Sequence, residues 1–134
     1  MKNNRKKVMI LTNHSYMLYR FRKELIEELM KNYDVVLSMP FVGHHEDFIN
    51  MGLRCIETKM ERRGVNPIHD FSLMKFYKKI LQEENSDLVI TYSIKPNVYG
   101  GLMCEKLNIP FYANVQGLGT AFQKPGLAQF ATVL

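Results

Sequence analysis

The sequence predicts an α/β domain, a doubly wound parallel sheet with helices on both faces, and three observations carry that prediction. Five short apolar runs alternate with longer segments whose apolar residues recur every three to four positions. The length, 134 residues, suits one compact domain able to bury a core. With 46% hydrophobic and 23% charged residues, the composition is globular and argues against disorder.

Val8-Met9-Ile10-Leu11 is continuously apolar, as a strand buried on both faces should be. A turn, Thr12-Asn13-His14-Ser15, leads into a helix with an expected inward stripe of Leu18, Phe21, Leu25 and Leu29 and a cap from Asn13 or Ser15. Val35-Val36-Leu37 is the second strand, ended by Pro40. A short helix from Gly43 through Asn50 is closed by Gly52, and Leu53–Ile56 forms a third, weaker strand. After a loop from Lys59, Pro67 opens a helix to about Glu84, with Phe71, Met74, Tyr77 and Leu81 expected on one side. Asp87–Thr91 is the fourth strand. Pro96 opens a helix whose Gly100-Gly101 should allow close packing, and Ile109–Val115 is the fifth strand, interrupted by Pro110.

Sheets of this class bind ligands beyond the carboxyl ends of their strands, where strand order reverses. The first such end, Asn13-His14-Ser15, lacks G-x-G-x-x-G and G-x-x-x-x-G-K-[ST], so dinucleotide and phosphate-loop chemistry lose their main support. It instead offers hydrogen-bonding side chains at a helix N-terminus, with Arg20 and Arg22 one to two turns on. His14 is the candidate for proton transfer or for bonding a sugar hydroxyl, against the alternative of a histidine bonded to local backbone. The fourth end gathers Tyr92, Ser93, Lys95 and Asn97. Here the alternative is that Ser93 caps and Pro96 starts the helix while Lys95 faces solvent. Arg62-Arg63-Gly64 suits bidentate phosphate binding, and Gln116-Gly117-Leu118-Gly119-Thr120 could bring backbone close to a ligand.

Composition narrows the partners. Lysine and arginine total 18 against 13 acidic residues, and the first 23 residues hold seven basic groups and no acidic one. Phosphate-bearing partners or an anionic membrane face suit that excess, with a merely solubilising tail the alternative for Lys2 to Lys7. No nucleic-acid-binding module is present. His44-His45 lacks partners at metal spacing, and Cys55 and Cys104 are too few for a structural zinc site or a disulfide framework. So few cysteines make a reducing cytosol the expected location, and with no apolar run near the roughly 18 residues of a membrane span, a secreted or membrane-spanning protein is not expected.

Four motifs at matching spacing resemble the N-terminal half of a bacterial family 4 glycosyltransferase. They are Thr12-Asn13-His14 with Phe21-Arg22 and Leu25-Ile26; Arg63-Gly64-x-Asn66-Pro67; Asp87 through Gly101; and Val115 through Phe122. The likeness is to the branch that builds capsule, O-antigen and other surface polysaccharides on a lipid carrier, and it runs from about residue 7 to the last residue. It implies a GT-B enzyme of two Rossmann-like domains. Residues 1–134 would be the acceptor-side domain, incomplete at its C-terminal end, with the donor-binding domain outside this chain.

The resemblance further implies a retaining transfer, with no metal and no cofactor, from a nucleotide sugar to a polyprenyl-diphosphate-linked or glycan acceptor. The enzyme would sit peripherally at the cytoplasmic face of the inner membrane. Substrate contacts would come from Asn13, His14, Arg20, Arg63, Tyr92, Ser93, Lys95, Asn97, Gln116, Gly117, Gly119 and Thr120. The diphosphate or lipid headgroups would fall to Arg20, Arg22, Arg62, Arg63 and Lys95. Two departures stand out. The usual glycine-rich first turn reads Asn13-His14-Ser15, and the usual histidine after the fifth strand is replaced by Gln116-Gly117, so no ionisable catalytic role passes to Gln116. The catalytic residues therefore stay unassigned, with His14 the candidate. The isolated chain, which ends in the apolar stretch GLAQFATVL, is expected to be inactive. The rival readings are a nucleotide-sugar 2-epimerase of the same architecture and a non-catalytic membrane- or glycan-binding module.

Overall fold

A computed structural model describes residues 5–59 and 67–114. Five strands, β1 (Lys7–Leu11), β2 (Asp34–Met39), β3 (Arg54–Glu57), β4 (Leu88–Tyr92) and β5 (Phe111–Asn114), form one sheet in the order β3-β2-β1-β4-β5. Every pairing is parallel, with Met9 beside Val36 on one side and Val89 on the other. Helices α1 (Ser15–Met30), α2 (His45–Asn50), α3 (Pro67–Glu84) and α4 (Gly101–Leu107) make the connections. Strand order reverses between β1 and β4, so the ligand crevice expected of this class lies beyond their carboxyl ends.

Both sheet faces are covered, which is why the central strands read as unbroken apolar runs. Val8, Ile10, Val35, Leu37 and Ile90 pack with Leu18 and Ile26 of α1 and Phe48 of α2. The alternate residues Met9, Leu11, Val36 and Val89 pack with Leu73, Tyr77, Ile80 and Leu81 of α3 and Cys104 of α4. The strand period of two divides each run between two cores.

The helix stripes differ from expectation. In α1 the buried residues are Ser15, Leu18 and Ile26, whereas Phe21 and Leu25 are 56% and 41% exposed. The register has turned by one residue, about 100°. In α3 the buried face is Asp70, Leu73, Tyr77, Ile80, Leu81 and Glu84, and Phe71 faces solvent. Glu84 is held there by Lys7 at 3.3 Å and Arg54 at 2.8 Å. The fifth strand starts only at Phe111, after Pro110, whose carbonyl accepts from Val89 N at 3.0 Å.

The segment after β4 forms a wide π-type turn, Pro96–Gly100, that runs into α4. It lies tightly against the sheet. A Cβ on Gly100 would stand 2.6 Å from Leu11 Cδ1, and one on Gly101 would stand 2.9 Å from Phe111 Cε2. Asn108 ends α4 in the left-handed conformation, with φ +60°.

Cys104 is fully enclosed by this packing. Burial pushes its thiol up to about 12, helped by the Glu105 charge, and burial pushes the half-buried Cys55 thiol up to about 11. A folded thiol that keeps its proton when the unfolded one has lost it stabilises the fold only at lower pH. That stability is complete below the unfolded pKa near 8.5–9 and is lost as pH rises through 11 to 12. Urea titrations at pH 7, 9 and 10.5 are therefore expected to give steadily falling midpoints. Cys104→Ala should show a shallower decline. An equal slope in that variant would remove Cys104 as the cause.

Candidate functional site

At the reversal point, the ends of β1 and β4 and the first turns of α1 enclose a cavity of about 200 Å³. Its polar wall is Thr12, Asn13, His14, Arg22 and Ser93, and its apolar wall includes Met17, Phe21 and Tyr92. The two strand ends are tied across the crevice floor, because Ser93 Oγ donates to Asn13 Oδ1 at 2.8 Å. The Asn13 amide can still offer a ligand its N–H donors and the second lone pair of Oδ1. Ser93 has φ +81°, a conformation that costs a non-glycine residue on the order of 1–3 kcal/mol. Strain of that kind persists where the surroundings over-determine it, and here they do. The Ser93 carbonyl accepts from Asn97 N at 2.9 Å while its hydroxyl is held by Asn13.

His14, rather than Asn13 or Ser15, caps α1. Its Nδ1 accepts from Met17 N at 3.3 Å, which requires the neutral ring with its proton on Nε2. The Ser15 hydroxyl instead accepts from Val42 N at 2.8 Å and ties the segment after β2 to α1. His44 reinforces that tie, with its ring stacked on Tyr19 at 4.2 Å and its Nδ1 2.7 Å from Asp47 Oδ2.

Arg22 supplies the cavity's cation. Its guanidinium lies over the Tyr92 ring, 5.4 Å from the centroid. Burial pushes the Tyr92 phenol above its ordinary value, and the Arg22 charge and hydrogen bond oppose that rise. Tyr92 therefore acts as a neutral hydroxyl.

Four of the residues expected to bind substrate, Asn13, His14, Tyr92 and Ser93, thus meet in one cavity. Three others are turned elsewhere. Arg20 Nη1 donates to Tyr16 Oη at 3.2 Å, outside the cavity wall. Lys95 neither reaches the crevice nor faces solvent: its buried ammonium pairs with Asp70 Oδ1 at 2.9 Å, and Tyr99 donates to Asp70 Oδ2 at 3.0 Å. That bond to the Asp70 carboxylate, chiefly, raises the Tyr99 phenol. Asn97 is buried too, accepting from Thr91 Oγ1 at 2.6 Å and donating to the Asn114 carbonyl at 2.7 Å. Arg62, Arg63, Gln116, Gly117, Gly119 and Thr120 lie outside the described residues.

Sequence reasoning missed Asp70 as the partner of Lys95, and Met17 and Phe21 as cavity wall. An acidic residue in line with Leu73 and Tyr77 was the available signal for a buried ion pair. Among the described residues, no group of three or more His, Cys, Asp or Glu side chains is placed to hold a metal ion. Nor is any helix among them long and apolar enough to cross a membrane.

No family model matches the chain. Over 122 residues it is 25% identical to the N,N'-diacetylbacillosaminyl-diphospho-undecaprenol alpha-1,3-N-acetylgalactosaminyltransferase of Campylobacter jejuni, covering 90% of this chain and 32% of that protein. The chain thus spans about a third of that curated relative. MurG of Acinetobacter baumannii superposes with TM-score 0.69 at 17% identity, over 94% of this chain and 39% of MurG. A glycosyltransferase from Rickettsia africae gives 0.67 at 16%, over 92% and 35%. A UDP-GlcNAc 2-epimerase from Neisseria meningitidis, bound to UDP-GlcNAc, gives 0.62 at 10%, over 95% and 38%. The chain has the fold of a GT-B glycosyltransferase domain and resembles the Campylobacter glycosyltransferase in sequence, in agreement with what its motifs suggest.

Proposed function

We propose that this chain is the acceptor-side domain of a glycosyltransferase that moves a sugar from a nucleotide-sugar donor to a lipid-linked acceptor. The observation that carries the reading is the cavity at the β1–β4 reversal, where Arg22, Asn13 and Ser93 stand beside the apolar Met17 and Phe21. A cation and neutral donors next to an apolar wall suit a diphosphate attached to a lipid. The Campylobacter relative, whose name specifies a diphospho-undecaprenol-linked sugar as its substrate, supports the same acceptor class.

The finer reading is retention at the anomeric carbon and a role in surface-polysaccharide synthesis. It also includes a peripheral position at the inner face of the membrane and a donor-binding domain elsewhere in the parent protein. In this scheme Asn13, Tyr92 and Ser93 orient the acceptor and Arg22 neutralises its phosphate charge. His14 Nε2, the proton-bearing nitrogen, donates to a sugar or phosphate oxygen.

The 2-epimerase reading stands beside it because such enzymes share the fold. One experiment separates the two. The parent protein is given UDP-sugars with and without a polyprenyl-diphosphate-linked acceptor. The expected outcome is glycolipid product only with acceptor and no change in the sugar nucleotide without it. Epimerised sugar formed in the absence of acceptor would overturn the transferase reading. The 134-residue chain alone is expected to show no turnover.

A further inference from the structure

The cavity's apolar wall does not stop at its mouth. Met17 and Phe21 line it and continue as a row to Leu25, at spacing i, i+4, i+8 on α1. All three are exposed, at 42%, 56% and 41%, although a helix in this position would ordinarily turn such residues inward. Eight residues of helix span about 12 Å, so the row is a track leading out of the crevice.

Charge is distributed along it in a definite order. The cavity end carries Arg22, whereas the outer end is bordered by the exposed Glu24 and Glu28. Glu28 stands 2.8 Å from Lys31, so the basic charge beside that end is already matched. An anionic bilayer surface is a poor complement for that end. A neutral hydrocarbon chain with an anionic head at Arg22 complements both ends.

We infer that the Met17–Phe21–Leu25 face of α1 binds the first isoprene units of a polyprenyl diphosphate whose phosphates sit at Arg22. The inference rests on the lipid-linked-acceptor reading above and adds the path of the lipid. Hydrocarbon laid on this row leaves water along with the three side chains, so affinity rises with chain length until the row is covered.

The test is calorimetric titration of the 134-residue chain with inorganic pyrophosphate, geranyl diphosphate and farnesyl diphosphate, each below its micelle concentration. Affinity is expected to rise at least tenfold from pyrophosphate to farnesyl diphosphate. Leu25→Ser, which lies outside the cavity on an exposed surface, should cut the farnesyl advantage to about threefold or less without changing pyrophosphate affinity. Thermal unfolding of the variant checks that it is folded. Equal affinity for pyrophosphate and farnesyl diphosphate would overturn the track and leave the diphosphate reading standing. No binding of either would overturn both. A farnesyl advantage that survives both Leu25→Ser and Phe21→Ser would place the chain elsewhere and end the inference. So would a Leu25→Ser effect confined to anionic phosphatidylglycerol vesicles, which would make this face a membrane contact.

Discussion

Replacing Lys95 with methionine is expected to lower the free energy of unfolding by about 3–5 kcal/mol, the cost of leaving one partner of a buried ion pair uncompensated. Lys95 and Asp70 are both under 10% exposed. The substitution removes the ammonium 2.9 Å from the Asp70 carboxylate, which also accepts from the Tyr99 hydroxyl at 3.0 Å. The double variant Lys95→Met/Asp70→Asn should recover a substantial part of the loss, because no buried charge is then stranded. Urea unfolding of the two single variants and the double variant closes the cycle. A loss under about 1 kcal/mol for Lys95→Met would mean that water reaches the pair. The pair also bears on the crevice, since Lys95 stands two residues after Ser93 and joins that turn to the first turn of α3. Loosening it should relax the Ser93–Asn13 bond across the cavity floor.

The strands were legible because a parallel sheet covered on both faces needs no polar alternation, and runs such as Val8–Leu11 say so directly. The helix faces were harder. A 3–4 spacing fits two adjacent registers of α1, one through Phe21 and Leu25, the other through Arg22 and Ile26. The first looks right because it contains no charge. The second is adopted because an arginine can lay its guanidinium on the Tyr92 ring at the edge of the core. The same blindness hid the pairings of Asp70 and Glu84 on the buried face of α3. Their partners, Lys95, Lys7 and Arg54, come from other segments, so the helix's own pattern could place the acids on its apolar side but not name what they pair with.

The candidate site divides along the same line. Asn13, His14, Tyr92 and Ser93 could be placed because the reversal of strand order brings those two strand ends together in any sheet of this order. The roles of Lys95 and Asn97 could not be read, since a polar residue just past a strand end is equally able to face the crevice or to lock the turn. Nothing in Tyr92-Ser93-Ile94 signals a positive φ at the serine. That conformation is held jointly by Asn97 and by Asn13, 80 residues away.

Asn97→Leu is the second change expected to have a large effect, at about 2–4 kcal/mol, because it strands several buried polar groups at once. The Asn97 side chain accepts from the Thr91 hydroxyl and donates to the Asn114 carbonyl, while the Asn114 amide donates to the Thr91 carbonyl at 3.1 Å. Leucine has similar bulk and no polar atoms, so the loss measures the bonds more than the packing. Asn97→Asp makes a sharper test. An ionised carboxylate can still accept from Thr91, but it would set a negative oxygen against the Asn114 carbonyl oxygen. Burial and that repulsion raise the carboxyl's pKa, so the protonated form is the stable one. The variant should therefore be closest to the parent near pH 4 and lose stability as pH rises through the raised pKa. Urea midpoints of Asn97→Asp and of the parent at pH 4, 6 and 8 check this, and a constant difference would show that the carboxylate stays solvated. Amide exchange adds the spatial information. Thr91 and Tyr92 stand beside Ala113 and Asn114 in the sheet, so the clamp fixes the carboxyl ends of β4 and β5 together. Its loss should speed exchange at these strand ends before it affects Met9 or Val36 in the sheet centre. A uniform rise across the sheet would instead assign Asn97 to global stability alone, without a local part in shaping the crevice.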